Sequence, residues 1–237
     1  MKAWRESEMR KIILVLTSLF LSVIAVKAQV PYFSSTAGDG NLYGYTSVKF
    51  RPGQNAQETY TAFQYGIGNY SAVGADLYTH GGQVYWGVIA RGGYNVSKWY
   101  GLGMQATPSF DLNDDFKFSY VTIGVYQNGS LTPDGNLFWC SNTWATINRN
   151  GGNSWNQWWY LGYIFKFDKK GSVTPMVGCL HDWEFRNKAN LAVGLYYSYK
   201  KWNFYVWSND LCESNPRVVI GVDFCLPTKL SNKSIEK

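Results

Sequence analysis

After Ala28 this chain has no apolar run approaching the roughly twenty residues that a membrane-spanning helix requires, so no helix of the mature chain crosses a bilayer. Cysteine is scarce. Cys140, Cys179, Cys212 and Cys225 form no C-x-x-C pair and no zinc spacing, which excludes the common structural metal modules, and all four are expected unpaired. Histidine is scarcer, with only His80 and His181, and charged residues make up 16% of the chain. No linker, low-complexity tract or internal repeat divides the sequence, so a single domain is expected. Of the 22 basic and 16 acidic residues, Met1 to Ala28 hold five and two, leaving a net +3 beyond it; nothing there points to nucleic acid.

That first segment reads as a cleaved secretory signal. Arg10 and Lys11 supply a positive start, 12–26 an apolar stretch of about fifteen residues, and Val26-Lys27-Ala28 a small-residue cleavage site. Residues 29–41 follow as an aperiodic lead-in. From residue 42 to Phe224 the hydrophobicity alternates with period two. In Lys188 to Tyr199, Leu191, Val193, Leu195, Tyr197 and Tyr199 share one face, against Ala192, Gly194, Tyr196 and Ser198 on the other. That is strand spacing. About twelve such segments are separated by turn chemistry such as His80-Gly81-Gly82, Asn128-Gly129 and Asp134-Gly135, and no connection exceeds about nine residues.

Aromatic residues, in contrast, are abundant at 18%, beside 24 glycines. Outer-membrane barrels use such rings as girdles at both headgroup layers and glycine for turns and curvature. The fold class expected is therefore all-β: one antiparallel up-and-down transmembrane β-barrel of about twelve strands over 42–224, ten or fourteen being the alternatives. Residues 225–237 are left as a polar tail. Register is set by charge, because Arg91 in lipid near the midplane would cost about 2 to 4 kcal/mol and must point inward. In 100–110, Tyr100, Leu102, Met104, Ala106, Pro108 and Phe110 face outward, opposite Gly101, Gly103, Gln105, Thr107 and Ser109. Phe116 to Gln127 changes phase, which suggests a bulge, and Pro175 needs a strand start or a bulge because it has no N–H to give.

At the last segment, Val218, Ile220, Val222 and Phe224 alternate outward in an apolar run ending in Phe. This resembles the closing strand of Gram-negative outer-membrane proteins. The resemblance implies an outer-membrane location, contact with its lipid, recognition of these four residues by the barrel-insertion machinery, and both termini in the periplasm. The pattern departs from that family where Cys225 to Lys237 follow the aromatic residue. The leader and short aromatic-rich barrel look like small barrels of Bacteroidota, with nucleoside-type channels and outer-membrane phospholipases as functional relatives to weigh.

The phospholipase chemistry does not transfer. Those enzymes resemble serine hydrolases with a Ser two residues after a lipid-facing His; two residues after His181 stands Trp183, and a base without a nucleophile activates nothing. His181 also cannot share a metal site with both Asp182 and Glu184, since adjacent strand residues face opposite ways. No catalytic residue, metal or cofactor is expected. The candidates for function are the inward polar residues Lys49, Gln64, Asp76, Arg91, Gln105, Lys117, Asn142, Lys166, Asp182, Glu184, Asn203 and Asp223, with inward rings Tyr43, Tyr45, Tyr60, Tyr85, Tyr196, Tyr205 and Trp207. Mixed charge signs across a narrow polar path fit a small passive channel for small polar solutes. The same residues paired across the lumen would give a closed barrel with a structural or partner-binding role. A soluble secreted β-barrel binding ligand through its aromatics is the third reading.

Overall fold

Period-two patterning resolves into strands along the chain. The protein, seen in a computed structural model, is described over residues 36–54, 57–168, 170–182 and 188–228. The signal segment, the start of the lead-in, the end of the tail, Trp183, Glu184 and the side chain of Asp182 lie outside the described residues. The strands are β1 (Asn41–Phe50), β2 (Gln57–Ile67), β3 (Ser71–His80), β4 (Gln83–Asn95), β5 (Gly101–Asp111), β6 (Lys117–Ser130) and β7 (Leu137–Asn148). They continue as β8 (Ser154–Tyr163), β9 (Phe165–Lys166), β10 (Gly171–Asp182), β11 (Lys188–Tyr199), β12 (Trp202–Ser208) and β13 (Val218–Pro227).

Each stave pairs antiparallel with the one before it, and β13 returns to β1 from Phe50 opposite Val218 to Asn41 opposite Pro227. β8 and β9 are two parts of one stave, both paired with β10, so the barrel has twelve staves and no free edge. Closure satisfies every ladder, which is what lets strands stand in lipid. The last strand runs on through Cys225, Leu226 and Pro227, three residues past the aromatic residue where the closing pattern ends.

Irregularities fall where backbone chemistry demands them. Pro175 lies opposite the break between β8 and β9, where the ladder to β10 skips Thr174 and Pro175; on the other side of the strand the Ile164 N–H donates to the Asn136 carbonyl at 2.9 Å and continues the ladder to β7. Pro108 has the same effect on the other side of the barrel, where the β4–β5 ladder runs from Gly87–Ser109 to Ala90–Ala106 and skips the pairs between. A proline in a ladder withholds one donor, and here each opens a short gap. The phase change in β6 is a register shift between Ser109 and Phe110, which sets Ser109 opposite Tyr120 but Phe110 opposite Phe118.

The outer wall is apolar. Phe63, Val73, Leu77, Val88, Met104, Leu161, Val177, Leu195, Phe204 and Ile220 are all exposed along it. Around the rim carrying the chain ends stand Tyr70–Tyr94, Tyr100–Trp139, Tyr163–Phe165 and Trp202–Phe224, with centroids 4.6 to 6.3 Å apart. Around the distal rim Trp86, Phe110, Phe116 and Phe118 form a second cluster. Rings at both ends of an apolar band match the two headgroup layers of a bilayer. Polar outward groups pair with each other: the hydroxyls of Thr46 and Thr61 lie 2.8 Å apart.

Candidate functional site: the barrel interior

The inward side chains include a polar set on β2 to β5 and an apolar cluster on β7 to β13, with further polar residues such as Asn142, Thr174, Asn203 and Asp223 among the latter strands. β2 to β5 contribute Gln64, Asp76, Arg91, Gln105, Thr107 and Ser109, all buried. β7 to β13 contribute Phe138, Cys140, Tyr160, Met176, Ala192, Tyr196, Trp207 and Val219, which form one buried cluster with Trp158, Ile164 and Tyr205 against it. The β-pleat alone explains the selection: along β5 the buried residues are Gly101, Gly103, Gln105, Thr107 and Ser109, every second one.

Arg91 is the central charge. Its Nη1 donates to Gln105 Oε1 at 3.4 Å, and its guanidinium lies over the Tyr126 ring with the Cζ atom 4.2 Å from the centroid. The Tyr126 hydroxyl donates to the same Gln105 Oε1 at 3.4 Å, and Gln105 Nε2 donates to Thr107 Oγ1 at 3.1 Å. A desolvated guanidinium over a phenol ring is worth about 2 kcal/mol. Tyr45 of β1 comes within electrostatic range of Arg91 and Tyr126 from across the barrel. Nearby, Asn203 Nδ2 donates to Asp223 Oδ1, and the Tyr60 hydroxyl donates to Asp76 Oδ2 at 2.6 Å. Most of these groups are buried and hydrogen-bonded to one another, a polar cluster at the waist of the interior.

The two mouths differ. At the rim carrying the chain ends, residues 36–40 turn against Gly66: Gly40 N–H donates to Gly66 O at 3.1 Å, and Thr36 is buried. A Cβ on Gly66 would sit 1.8 Å from Gly38 O, so only glycine admits this approach. At the distal rim the 209–217 loop is anchored by the Arg51–Asp210 ion pair and by Arg217 N–H to Asp210 Oδ1, and Tyr160 OH donates to Asn209 Oδ1 at 3.4 Å beneath it.

Of the polar residues singled out from sequence, Gln64, Asp76, Arg91, Gln105, Asn142, Asn203 and Asp223 are buried in the interior. Lys49 lies at the distal mouth, 3.6 Å from Glu58. Lys117 and Lys166 share the inward phase but stand exposed at opposite rims, Lys117 bonded to Asp114 in its turn; neither reaches the waist. Asp182 ends β10, with only its backbone described. The seven expected inward rings all carry the inward phase, and the structure adds Tyr78, Tyr120, Tyr126, Trp144, Trp158 and Tyr160. Alternation within their own strands would have found Tyr126 and Tyr160. Cys140 is fully buried against the aromatic wall and Cys179 is exposed on the outer face, one stave removed, so no disulfide joins them. Among the described residues no His, Cys, Asp or Glu group could hold a metal ion.

No family model and no curated protein matches the sequence. Solved structures do match. KdgM porin in complex with disordered oligogalacturonate aligns over 77% of this chain and 98% of its own at 12% identity, TM-score 0.57. KdgM porin without that ligand gives 0.56 at 11% identity over the same shares. A weaker likeness, 0.43 at 8% identity over 81% of this chain and all of the other, is to Omp33 of Acinetobacter baumannii. At these identities the likeness is one of fold. The chain is a closed antiparallel β-barrel of twelve staves, and it shares the fold of the KdgM porin.

Proposed function

We propose that this barrel is a narrow passive channel for small polar solutes, closed at rest by its waist. The observation that carries the reading is the inward polar set of Asp76, Arg91 and Gln105 in the same interior as the aromatic cluster from Phe138 to Trp207; in this reading a hydrogen-bonding solute follows a seam along the polar set. Both charge signs occur along the seam, so size and hydrogen bonding govern passage. Planar-bilayer recording of the purified, refolded barrel tests it. Small stepwise openings are expected, and a silent bilayer at all voltages sinks the channel. The burial of Gln105, 3% exposed, favours one other reading, a permanently closed barrel with an envelope role, and that is what such silence would leave.

The termini are taken to be periplasmic, which puts the distal rim outside. Cys212 is exposed on the 209–217 loop at that rim, whereas Cys140 is buried and Cys225 lies at the opposite end. A membrane-impermeant maleimide added to intact cells is therefore expected to label Cys212 first and to leave Cys140 unlabelled until the barrel is unfolded. Labelling that survives Cys212→Ser but disappears with Cys225→Ser would reverse the orientation.

A further inference from the structure

The distal mouth holds a row of half-buried rings, of which only Tyr60 also bonds a group of the waist, Asp76. Tyr60, Tyr78, Tyr85 and Tyr120 come from β2, β3, β4 and β6, the last reaching past β5, and follow one another at 6.3, 6.1 and 5.3 Å between centroids. Tyr78 is nearly parallel to Tyr85, at 22°, and to His80, at 3°. Tyr60 is tilted at 56° to Tyr78 and Tyr120 stands at 64° to Tyr85, so the four rings form a continuous row along this mouth with faces turned in different directions. All four phenols are only partly buried, unlike Tyr126 and Tyr160 below them.

Charge at this mouth is balanced within it. Glu58 lies 3.6 Å from Lys49, 3.8 Å from Arg217 and 3.5 Å from His80, and it accepts a hydrogen bond from Tyr78 OH at 3.2 Å. Asp76 accepts from Tyr60 just beneath, and Arg51 is held by Asp210. Three cations, Lys49, Arg51 and Arg217, thus stand against three carboxylates, Glu58, Asp76 and Asp210, and neither sign is in excess among these groups. What the mouth does offer is flat ring faces edged by phenol and carboxylate oxygens. Stacking on a ring face with hydrogen bonds at its edge suits the axial C–H faces and equatorial hydroxyls of a pyranose.

We propose, resting on the channel reading above, that this tyrosine-tiled mouth is a binding site for neutral saccharides, the substrate class that enters the seam. The charge balance among these groups sets the mouth apart from a site for acidic sugars, which needs unshared cations; Lys49 Nζ, 5.9 Å from the Tyr78 centroid, is itself held by Glu58. Tyr78 and Tyr85 stack the sugar and Glu58 accepts from its hydroxyls.

Isothermal titration calorimetry of the full barrel in detergent micelles tests this with two neutral trisaccharides, maltotriose and cellotriose, against trigalacturonate. At least one neutral sugar is expected to bind, and trigalacturonate more weakly. Tyr85→Ala is expected to weaken binding about tenfold, the loss of one stacking contact. Tyr85→Phe keeps the ring face and should retain most of the affinity, a rescue that a merely structural role would not show at the sugar site. Because Tyr85 is at the rim, heat-modifiable migration of each variant confirms that it has folded. No binding by either neutral sugar, tighter binding of trigalacturonate, or unchanged affinity in Tyr85→Ala overturns the proposal. Conductance in sugar-free buffer is read separately, so a channel that opens yet binds no sugar refutes the site and spares the channel.

Discussion

Replacing Tyr126 with alanine is expected to raise single-channel conductance severalfold over that of the wild-type barrel. Tyr126 stands on β6 with Arg91 over its ring and with its hydroxyl on Gln105, so it closes the polar wall toward the centre of the lumen. Removing the ring leaves Arg91 its bond to Gln105, and it opens space beside a charge that recruits water instead of collapsing onto it. The side chain is also packed edge-on against Trp144, centroids 5.1 Å apart, so its loss is not free. Truncating a packed ring and its cation contact costs about 3 to 5 kcal/mol, which a closed twelve-stave barrel must absorb in its unfolding midpoint. Phe63→Ala is the comparison. That ring is 48% exposed on the outer wall, and its loss should leave conductance unchanged. Equal conductance in wild type and Tyr126→Ala would mean that ions pass elsewhere, and the Arg91 cluster would then be packing alone.

The same cluster shows what a sequence discloses and what it withholds. Alternation in single strands was enough to put Arg91, Gln105 and Thr107 inside and Leu102, Met104 and Ala106 outside, because each strand meets lipid on one side and the cost of a charge there fixes the phase. Twelve staves were legible from the turns, and the β6 irregularity from its own broken phase. The contacts across the lumen were not. Whether Tyr45 of β1 comes near Tyr126 of β6 depends on the stagger of the strands around the barrel, a property of the closed sheet that no one strand carries. Nor could the tucked 36–40 segment be read, since it has no period and its seat depends on Gly66, one glycine among 24. Lys117 and Lys166 had the right phase but lie too near the strand ends to reach the waist; phase fixes the side of a wall, and only the register of both neighbours fixes the height.

A charge on the outer wall gives the test of which side meets lipid. Val206 of β12 pairs with Leu195 on one side and Ile220 on the other, and the three are 42%, 44% and 52% exposed. They lie between the two aromatic girdles, where a lipid-facing arginine costs about 2 to 4 kcal/mol. Val206→Arg is therefore expected to lower stability by about that amount in reversible urea unfolding in phosphatidylcholine vesicles, and to impair insertion. One residue along, Trp207 points inward onto Tyr160 at 4.7 Å. Gln83→Arg supplies the matched control, since Gln83 is exposed at the distal rim and the same charge there stays in water. The two variants differ by the same added guanidinium and only by depth and direction. If both were equally mild in lipid vesicles, the apolar band would not be facing acyl chains, and the barrel would have to stand in water with its large side chains outward, a surface far beyond what soluble proteins tolerate.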